Sequence, residues 1–291
     1  MKILLTGANG MLAADIQRQM PYGIELSATD VDELDITNFA AIDRFCSQCA
    51  PDAILNCAGY TAVDKAESDR TAAFAVNETG PANLARVCAV RGMPLVHIST
   101  DFVFNGDGSH LLAEDDTPEP RGVYAESKRA GELAIEHAGG SWLIVRTSWL
   151  FGLCGRNFPG TIMRLALERD TLTVVNDQTG SPTYTRDLAG AVWELIARRA
   201  AGYVHFCNQG VCTWFDFARE IVRQAQAREL LPRDRTINIL PVTSQHYRSP
   251  APRPAYSAMS VARCAALIGR QPRRWQDALG DYLDECLKAA R

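Results

Sequence analysis

The chain has 291 residues, of which 47% are hydrophobic and 22% charged, so it has the composition of a globular protein with one large core or a core and a smaller lobe. The formal net charge of -4 argues against nucleic acid or an anionic membrane as the main partner. No apolar run approaches the roughly 18 residues that a membrane span needs, and the N-terminus reaches Gly7 too soon for a signal peptide. Nine cysteines without a secretion signal indicate a reducing compartment, and we expect a cytoplasmic protein.

Short apolar runs alternate with helical patterns over the first two hundred residues, which is typical of a parallel sheet covered by helices. The predicted strands are Ile3–Thr6, Glu25–Thr29, Ala53–Ala58, Leu95–Ser99 and Trp142–Arg146. The predicted helices between them are Met11–Met20, Phe39–Ala50, Ala72–Arg91 and Val123–His137. Residues 1–150 are therefore predicted to form a Rossmann-type doubly wound parallel sheet, an α/β fold.

The alternation of short apolar runs and helical patterns becomes less regular after about Phe151. Further predicted elements are the helices Asn157–Arg169, Arg186–Arg199 and Trp214–Ala227 and the strands Leu172–Val175 and Tyr203–Cys207. The segment Pro241–Pro254 contains four prolines, so we expect a loop there. Residues 151–291 are predicted to form mainly a smaller C-terminal α/β substrate lobe, with some segments returning to the sheet. Such a lobe would close over the carboxyl edge of the sheet, where open α/β sheets bind ligands.

A glycine-containing turn, Thr6–Ala13, joins the first predicted strand to the first helix with the spacing GxxGxxA. Gly7 permits a tight turn, and Gly10 lets the backbone approach a pyrophosphate at the helix N-terminus. Asp30 ends the second strand, where a carboxylate would meet the ribose hydroxyls of an adenosine. That carboxylate would repel a 2′-phosphate and so favours NADH, but other basic residues could offset it. Residues 1–150 are thus predicted to bind a dinucleotide, NADPH or NADH.

Tyr124 and Lys128 lie four residues apart at the start of a predicted helix, so both side chains can reach one cleft. A nearby ammonium favours the phenolate, and we expect Lys128 to lower the pKa of Tyr124 so that the phenol can protonate a carbonyl oxygen at neutral pH. Thr100 follows the fourth predicted strand, where a hydroxyl could support the same oxygen; the alternative is a turn residue. For Ser99 we favour a structural role.

Six segments of the sequence together resemble the dTDP-4-dehydrorhamnose reductase family of extended short-chain dehydrogenases/reductases. The resemblance extends from Met1 to about Ser260 and is carried by Thr6–Ala13, Tyr60–Glu67, Ser99–Asp101, Tyr124–Lys128, Arg146–Trp149 and Arg253–Ser257. It implies reduction of the 4-keto group of dTDP-6-deoxy-L-lyxo-4-hexulose to dTDP-L-rhamnose, in nucleotide-sugar and cell-surface polysaccharide biosynthesis. In that reaction Tyr124 would donate the proton, Lys128 would orient the ribose, and Thr100 would support the reacting oxygen.

The resemblance also implies the residues that line the cofactor and substrate sites. Together with the glycine turn, the cofactor contacts would come from Gly7, Gly10, Met11, Leu12, Asp30, Asp35, Ile36, Gly59, Tyr60, Thr61, Ile98, Tyr124 and Lys128. The dTDP-sugar contacts would come from Thr61, Val63, Thr100, Asp101, Trp149 and Arg253. Arg253 could clamp a pyrophosphate with both guanidinium nitrogens, the alternative being a plain surface loop. Phe102 replaces a tyrosine that is common in the family, which removes one polar contact to the sugar.

No metal is expected at the chemistry. Cys46 and Cys49 have CxxC spacing without a second pair, which favours two helix residues over a metal or redox site. The histidines are scattered, and we interpret all five as structural: His97, His110, His137, His205 and His246. Some members of the family dimerise through Mg²⁺ held by acidic side chains. Asp15 lies near such a position, but we expect it to be a solvated helix acid, which leaves a homodimer and an interface Mg²⁺ open.

Two other functions remain open at this point. An epimerase or dehydratase could use the same scaffold, although a dehydratase would be expected to carry an Asp-Glu pair after Thr100, and here Asp101 is followed by Phe102. A non-catalytic, NADP-binding regulatory subunit, such as that of methionine adenosyltransferase, resembles the same family. The presence of both Tyr124 and Lys128 favours an enzyme.

Overall fold

A computed structural model of the protein describes residues 1–247 and 249–289. Its strands are β1 (Lys2–Thr6), β2 (Glu25–Thr29), β3 (Ala53–Asn56), β4 (Leu95–Thr100), β5 (Trp142–Thr147), β6 (Leu150–Phe151), β7 (Thr171–Val175), β8 (Thr179–Gly180), β9 (Thr183–Tyr184), β10 (Gly202–His205), β11 (Cys212–Thr213) and β12 (Asn238–Val242). Its helices are α1 (Met11–Arg18), α2 (Phe39–Cys49), α3 (Val63–Ala66), α4 (Arg70–Phe74), α5 (Gly80–Arg91), α6 (Val123–Ala138), α7 (Phe158–Glu168), α8 (Thr185–Ala197), α9 (Trp214–Ala227), α10 (Ser244–Tyr247), α11 (Ala262–Ile268) and α12 (Trp275–Ala289).

Six parallel strands form the central sheet in the order β10-β5-β4-β3-β1-β2. Five of them are the strands predicted from the N-terminal half, and the sixth, β10, is supplied by the C-terminal half of the chain. The predicted Rossmann-type parallel sheet is confirmed. Because the strands are parallel, their carboxyl ends meet at one edge, where the turn after β1 and the end of β4 come together.

The core is divided by the sheet into two layers. Ile3 and Leu5 of β1 pack with α1, α8 and α11 on one face, whereas Leu4 packs with α2, α5 and α6 on the other. This alternation is the two-residue period of a strand, and both faces are apolar because helices cover both. No helix in the parts of the chain that the structure describes is long and apolar enough to cross a membrane.

A separate apolar cluster lies within the C-terminal part of the chain. It is built from α7, α9 and α12 around aromatic residues that include Phe151, Phe217 and Trp275. The prediction that Pro241–Pro254 is only a loop is wrong, because Pro241 lies inside β12 and α10 follows it. β12 pairs with β7 alone in a two-stranded sheet, and such an edge tolerates a proline because one side of the strand needs no partner.

The helix predicted at Ala72–Arg91 is interrupted. Residues Ala75–Thr79 form a π-helical turn between α4 and α5, a widening that places one extra residue in the helical path. α6 packs closely against this turn: a Cβ added to Gly131 would lie 2.0 Å from the carbonyl oxygen of Asn77. The predicted stretch is helical throughout, but the spacing of apolar residues does not report the π-helical turn within it.

Candidate active site

A cavity of about 380 Å³ opens at the carboxyl edge of the sheet, between the turn after β1, the ends of β3 and β4, and α6. The predicted site residues that line it are Gly10, Met11, Leu12, Gly59, Thr61, Val63, Ile98, Thr100, Asp101, Tyr124, Lys128 and Trp149. These residues come from segments far apart in the sequence. Their convergence on one cavity places the predicted dinucleotide turn beside the predicted acid.

The glycine turn has the geometry of a phosphate site. Gly7 has φ +72°, and a Cβ there would lie 2.5 Å from the backbone nitrogen of Ala58, so only glycine fits. Gly10 caps α1 without a side chain, and the first turn of the helix contains no acidic residue. The first N–H groups of a helix have no intrahelical acceptor and attract anions. The turn therefore suits the pyrophosphate of a dinucleotide.

Six predicted contact residues do not line the cavity. Gly7 shapes the turn, and the carboxylate of Asp30 accepts hydrogen bonds from the backbone N–H groups of Asn9 and Val31. The Asp35 carboxylate accepts hydrogen bonds from the backbone N–H and the hydroxyl of Thr37. The Ile36 side chain is 5% exposed and packs in the core against Gly80, and the contact of this residue with the cofactor stays a prediction.

The remaining two residues outside the cavity are held by acidic partners. The Tyr60 hydroxyl donates to Asp69 at 3.1 Å. Both terminal nitrogens of Arg253 donate to the Asp64 carboxylate, at 3.0 and 2.9 Å, and Arg253 lines a neighbouring cavity of about 260 Å³ in the C-terminal lobe. The prediction of a guanidinium free to clamp a pyrophosphate thus omitted Asp64. The two terminal nitrogens of the Arg253 guanidinium are already engaged in an ion pair within the chain.

Tyr124 is presented by the first turn of α6. Gly122, at φ +87°, caps this helix, and the carboxylate of Glu67 accepts a hydrogen bond from the N–H of Val123. The Tyr124 side chain is 9% exposed and lies on the cavity wall. Phe102 contacts it edge-on, with ring centroids 5.4 Å apart. The phenol therefore has a fixed direction toward the cavity.

The protein's own groups hold the phenol in its protonated form. Burial raises the pKa of Tyr124 to about 12, the Thr100 hydroxyl lowers it by hydrogen bonding, and the charge of Asp101 raises it. The pKa of the phenol is thus shifted upward in the polypeptide, and lowering of this pKa by Lys128 stays a prediction. The ammonium of Lys128 is directed at the β4 backbone, where Nζ donates to the carbonyl oxygen of Ile98 at 2.7 Å.

Lys128 is 5% exposed, and burial lowers its pKa to about 8, while the charges of Glu132 and Cys57 act to raise it. Nζ also lies 3.3 Å from Nε2 of His97. It faces the loop after β3 as well, since a Cβ on Gly59 would be 4.0 Å away. The amine therefore lies between β4 and this loop, and its predicted contact with a ribose stays a prediction.

Thr100 and Asp101 close the end of β4. The Thr100 hydroxyl donates to Oδ1 of Asp101 at 3.1 Å and accepts from the N–H of Phe102. Burial raises the pKa of Asp101 to about 6, although hydrogen bonds from Ser257 and Thr100 act against this. Oδ2 of Asp101 is buried without a hydrogen-bond partner, and so is the hydroxyl of Thr147, which lines the same cavity. Buried polar groups of proteins usually have a hydrogen-bond partner, and these two oxygens have none among the described residues.

Trp149 lines the same cavity. Its φ is +47°, unusual for a residue other than glycine, and its indole stacks on that of Trp214 with centroids 3.5 Å apart. A Cβ on Gly180 would lie 2.6 Å from the Trp149 ring, so this glycine makes room for the indole. Strained backbone at a cavity wall is common at ligand sites. The indole offers a flat apolar face to a sugar.

The comparisons with known proteins agree with this geometry. Residues 1–288 match the family described as the RmlD substrate binding domain. The chain belongs to this family. It is 41% identical over 290 residues to the dTDP-4-dehydrorhamnose reductase of Mycobacterium tuberculosis, covering 97% of this chain and 92% of the relative. Among solved structures, a dTDP-4-dehydrorhamnose reductase of Clostridium acetobutylicum has a TM-score of 0.92 at 38% identity, covering 99% of this chain and 100% of its own. The Bacillus anthracis enzyme of the same name, in complex with NADP, has a TM-score of 0.91 at 36% identity, covering 98% and 99%.

Seen as a member of the RmlD family, the chain contains site residues that the sequence pattern did not single out. Asn77, in the π-helical turn, accepts a hydrogen bond from the Tyr60 N–H and donates to the Tyr60 carbonyl and to Ser127 of α6. It thereby joins the loop beneath Gly59 to the helix that carries Tyr124. The signal was hidden because an asparagine inside an apparent helix resembles any polar surface residue.

A buried ion pair anchors the middle of α6, at Glu132. Glu132, fully buried, accepts from Nε and Nη2 of Arg146 at 2.8 Å each, from Arg129 at 2.9 Å and from Ser99 at 2.7 Å. The structural role predicted for Ser99 agrees with this contact. The network ties α6 to β4 and β5, the strands that end at the cavity. The network could be inferred from the sequence only if Glu132 and Arg146 were already known to be neighbours in the fold.

Two predictions about acidic and sulfur groups have different outcomes. Asp15 was expected to be solvated, but it is 4% exposed and accepts a hydrogen bond from Thr185 at 2.5 Å, so that expectation is wrong. α8 packs on α1 and covers this carboxylate. Cys46 and Cys49 both lie on α2, as expected, and burial raises the pKa of Cys46 to about 11. No cluster of metal-ligating side chains occurs within residues 1–247 and 249–289.

Proposed function

We propose that the protein reduces the 4-keto group of dTDP-6-deoxy-L-lyxo-4-hexulose to dTDP-L-rhamnose with NADPH or NADH. The observation that carries this proposal is the convergence of Tyr124, Thr100 and Lys128 on one cavity beside the glycine turn. The dTDP-4-dehydrorhamnose reductases that match nearly the whole chain support the choice of substrate. The product would serve nucleotide-sugar and cell-surface polysaccharide biosynthesis.

The residues of the chain divide the chemistry between them. When bound, the dihydronicotinamide supplies a hydride to the carbonyl carbon. Tyr124, whose raised pKa keeps it protonated at neutral pH, donates its hydroxyl proton to the carbonyl oxygen, so that a ketone becomes an alcohol and the phenol becomes a phenolate. The Thr100 hydroxyl, beside the phenol, would turn its single proton from Asp101 to the same oxygen and give it a second hydrogen bond. Gly10 and the N-terminus of α1 would hold the pyrophosphate of the cofactor, and Lys128 would hold its ribose.

The sugar would lie between the catalytic helix and the indole of Trp149. Asp101 and Thr147 have unpartnered oxygens that would accept or share its hydroxyl protons, and Val63 would contact its apolar edge. Phe102 presents an edge to Tyr124 and no hydroxyl, so the sugar gains no polar contact there. The nucleotide end would extend past the Trp149–Trp214 stack toward the lobe cavity bounded by Arg253. There the diphosphate would share the guanidinium with Asp64.

The decisive experiment is a coupled reduction assay. Purified protein is mixed with NADH or NADPH and enzymatically made 4-keto sugar nucleotide, and loss of the nicotinamide absorbance is followed. The Tyr124→Phe variant should lose about 10²–10⁴-fold in kcat, because the proton donor is removed while the ring is kept. Tyr184→Phe is the matched control, a buried tyrosine bonded to Glu285 in the lobe, and should retain activity.

The same assay separates the alternatives. Cofactor binding without oxidation, for any 4-keto sugar nucleotide tested, would contradict the reductase and support a non-catalytic regulatory subunit. Conversion of the sugar without net cofactor consumption would support an epimerase or dehydratase. Full activity of Tyr124→Phe with the intended substrate would show that a different group delivers the proton.

We also propose a cytoplasmic location and a homodimer. The location is supported by the nine cysteines, all of which lie in the described residues and are free thiols. The homodimer is implied by the family resemblance, and light scattering would show it as twice the 31.9 kDa chain mass. Asp15, closed off by Thr185, is a poor ligand for an interface Mg²⁺.

A further inference from the structure

His97 is buried at the centre of the sheet, behind the amine of Lys128. It is 0% exposed on β4, and each of its ring nitrogens has one polar neighbour. Nδ1 lies 2.9 Å from Nδ2 of Asn56, on the adjacent strand β3. Nε2 lies 3.3 Å from Nζ of Lys128. The ring therefore connects the sheet interior to a group that lines the cavity.

The orientation of Asn56 determines which nitrogen of His97 carries a proton. The backbone N–H of Ala58 can only donate, and it donates to Oδ1 of Asn56 at 3.0 Å. The Thr6 hydroxyl donates to the same oxygen at 2.7 Å. The amide nitrogen of Asn56 must then face His97, and an amide N–H₂ group is a donor only. Nδ1 of His97 is consequently the acceptor, and a neutral ring carries its proton on Nε2.

That proton points toward Lys128. A ring N–H and an ammonium are both donors, so they repel each other, whereas a ring N–H and a neutral amine form a hydrogen bond. We propose that Asn56 fixes His97 as the Nε2–H tautomer and that this ring N–H, directed at Nζ, weakens the hold of Lys128 on its own proton. His97 is thus a positioning residue that acts through Lys128. The role of Lys128 at the cofactor rests on the proposed function, but the tautomer and its effect on the amine do not.

The other groups around Nζ act in different directions. The carbonyl oxygen of Ile98 accepts a hydrogen bond from Nζ. Two further groups favour the charged amine: Glu132, one turn further along α6, and the thiol of Cys57, after β3. Burial acts against the charge, and it lowers the pKa of Lys128 to about 8. Burial and the charge of Lys128 also keep the pKa of His97 well below its usual range, so the ring is neutral, as the tautomer argument requires.

The tautomer can be read directly by nuclear magnetic resonance. The chain contains five histidines, so ¹⁵N-histidine labelling gives few signals, and the His97→Gln variant identifies the one from His97. We expect a protonated Nε2 and an unprotonated Nδ1 across the neutral pH range. A protonated Nδ1 would overturn the proposal, and this measurement needs neither substrate nor activity.

The effect on Lys128 is tested by reversing the tautomer. In Asn56→Asp, a carboxylate oxygen replaces the amide donor, Nδ1 of His97 becomes protonated, and Nε2 becomes an acceptor for the ammonium. Titration of the four lysines by ¹³Cε labelling should show the pKa of Lys128 rising by about one unit or more. The His205→Gln variant, which changes a buried histidine bonded to Arg146 and Leu112, should leave it unchanged.

The pH dependence of kcat should change together with the pKa of Lys128. In Asn56→Asp the alkaline limb of the kcat profile should move upward with the pKa of Lys128. An unchanged Lys128 titration in a folded Asn56→Asp protein overturns the proposal. If Asn56→Asp does not fold, the tautomer of the unaltered protein decides the question. Absence of reductase activity in the unaltered protein, with the expected tautomer and titration, would refute the proposed function and leave this inference in place.

Discussion

Removing the charge of Glu132 should destabilise the protein strongly. In Glu132→Gln the side chain keeps its shape, but an amide nitrogen faces the donors of Arg146 and Arg129 that a carboxylate oxygen accepted. Arg146 is 1% exposed, and its remaining polar neighbour is His205 at 3.4 Å. Its guanidinium is then left buried without a counter-charge. Breaking a buried pair in this way costs about 3–5 kcal/mol.

The expected shift in melting temperature depends on the size of the chain. An unfolding entropy of ~2.1 cal/mol/K per residue corresponds to about 0.6 kcal/mol/K for the whole chain, so Tm should fall by about 5–8 °C. Urea unfolding followed by circular dichroism gives the free energy, and calorimetry gives Tm. The double variant Glu132→Met/Arg146→Met should lose less than Glu132→Gln, because it leaves no fully buried charge without a partner; Arg129, which also loses Glu132, has a side chain that is 19% exposed.

The matched control lies on the same helix. Glu126 pairs with Arg70 at 2.8 Å, the same separation as in the buried pair, but both side chains are exposed to solvent. Glu126→Gln should change the free energy of unfolding by no more than about 0.5 kcal/mol. If Glu132→Gln costs no more than Glu126→Gln, then burial does not make this pair strong, and the reasoning fails.

Three further predictions concern the cavity. Gly7→Ala should weaken binding of either dinucleotide at least about tenfold, because the new Cβ would meet the backbone of Ala58. Gly139→Ala is the control: this glycine has the same φ of +72° but nothing near its Cβ position, so dinucleotide affinity should not change. Equal affinities of the two variants would contradict the close contact between Gly7 and Ala58. Burial raises the pKa of Asp101 from 3.8 to about 6, so the folded protein binds this proton more tightly than the unfolded chain does. Stability should therefore be highest below pH ~4 and fall through pH ~6 relative to Asp101→Asn, by about 3 kcal/mol at most, and parallel urea-unfolding profiles across pH would refute this. Asp30→Asn should lower the KM for NADPH about fivefold relative to NADH, and an unchanged ratio in steady-state assays would show that Asp30 does not select the cofactor.

Regular elements were predictable because their signals are local. α9 begins at Trp214 as predicted, and a capping box formed by Thr213 and Asp216 three residues later holds its first turn. The strands of the central sheet were predictable because they are buried on both faces and form short apolar runs. β12 was missed because its proline is acceptable only at a sheet edge, and edge position is a property of the whole fold.

The site was predictable where chain order and fold coincide. In a parallel sheet every strand ends at the same edge, so Gly10, Thr100 and Tyr124 could be placed together without coordinates. Contacts across long stretches of chain could not. Asp64 and Arg253 are 189 residues apart, and no local pattern tells an arginine that binds a ligand from one that binds an aspartate.

Because of the π-helical turn at Ala75–Thr79, the number of residues in this segment is important for the site in addition to the identity of its side chains. A π turn is an α-helix with one residue inserted, so deleting any one residue of it would restore an α-helix and rotate the two flanking helical segments by about 100° relative to each other. Asn77 would then swing away from Tyr60 and Ser127, and the floor of the cavity would lose its link to α6. A relative one residue shorter at this point would need a different way of supporting that loop, even if every residue lining the cavity were the same.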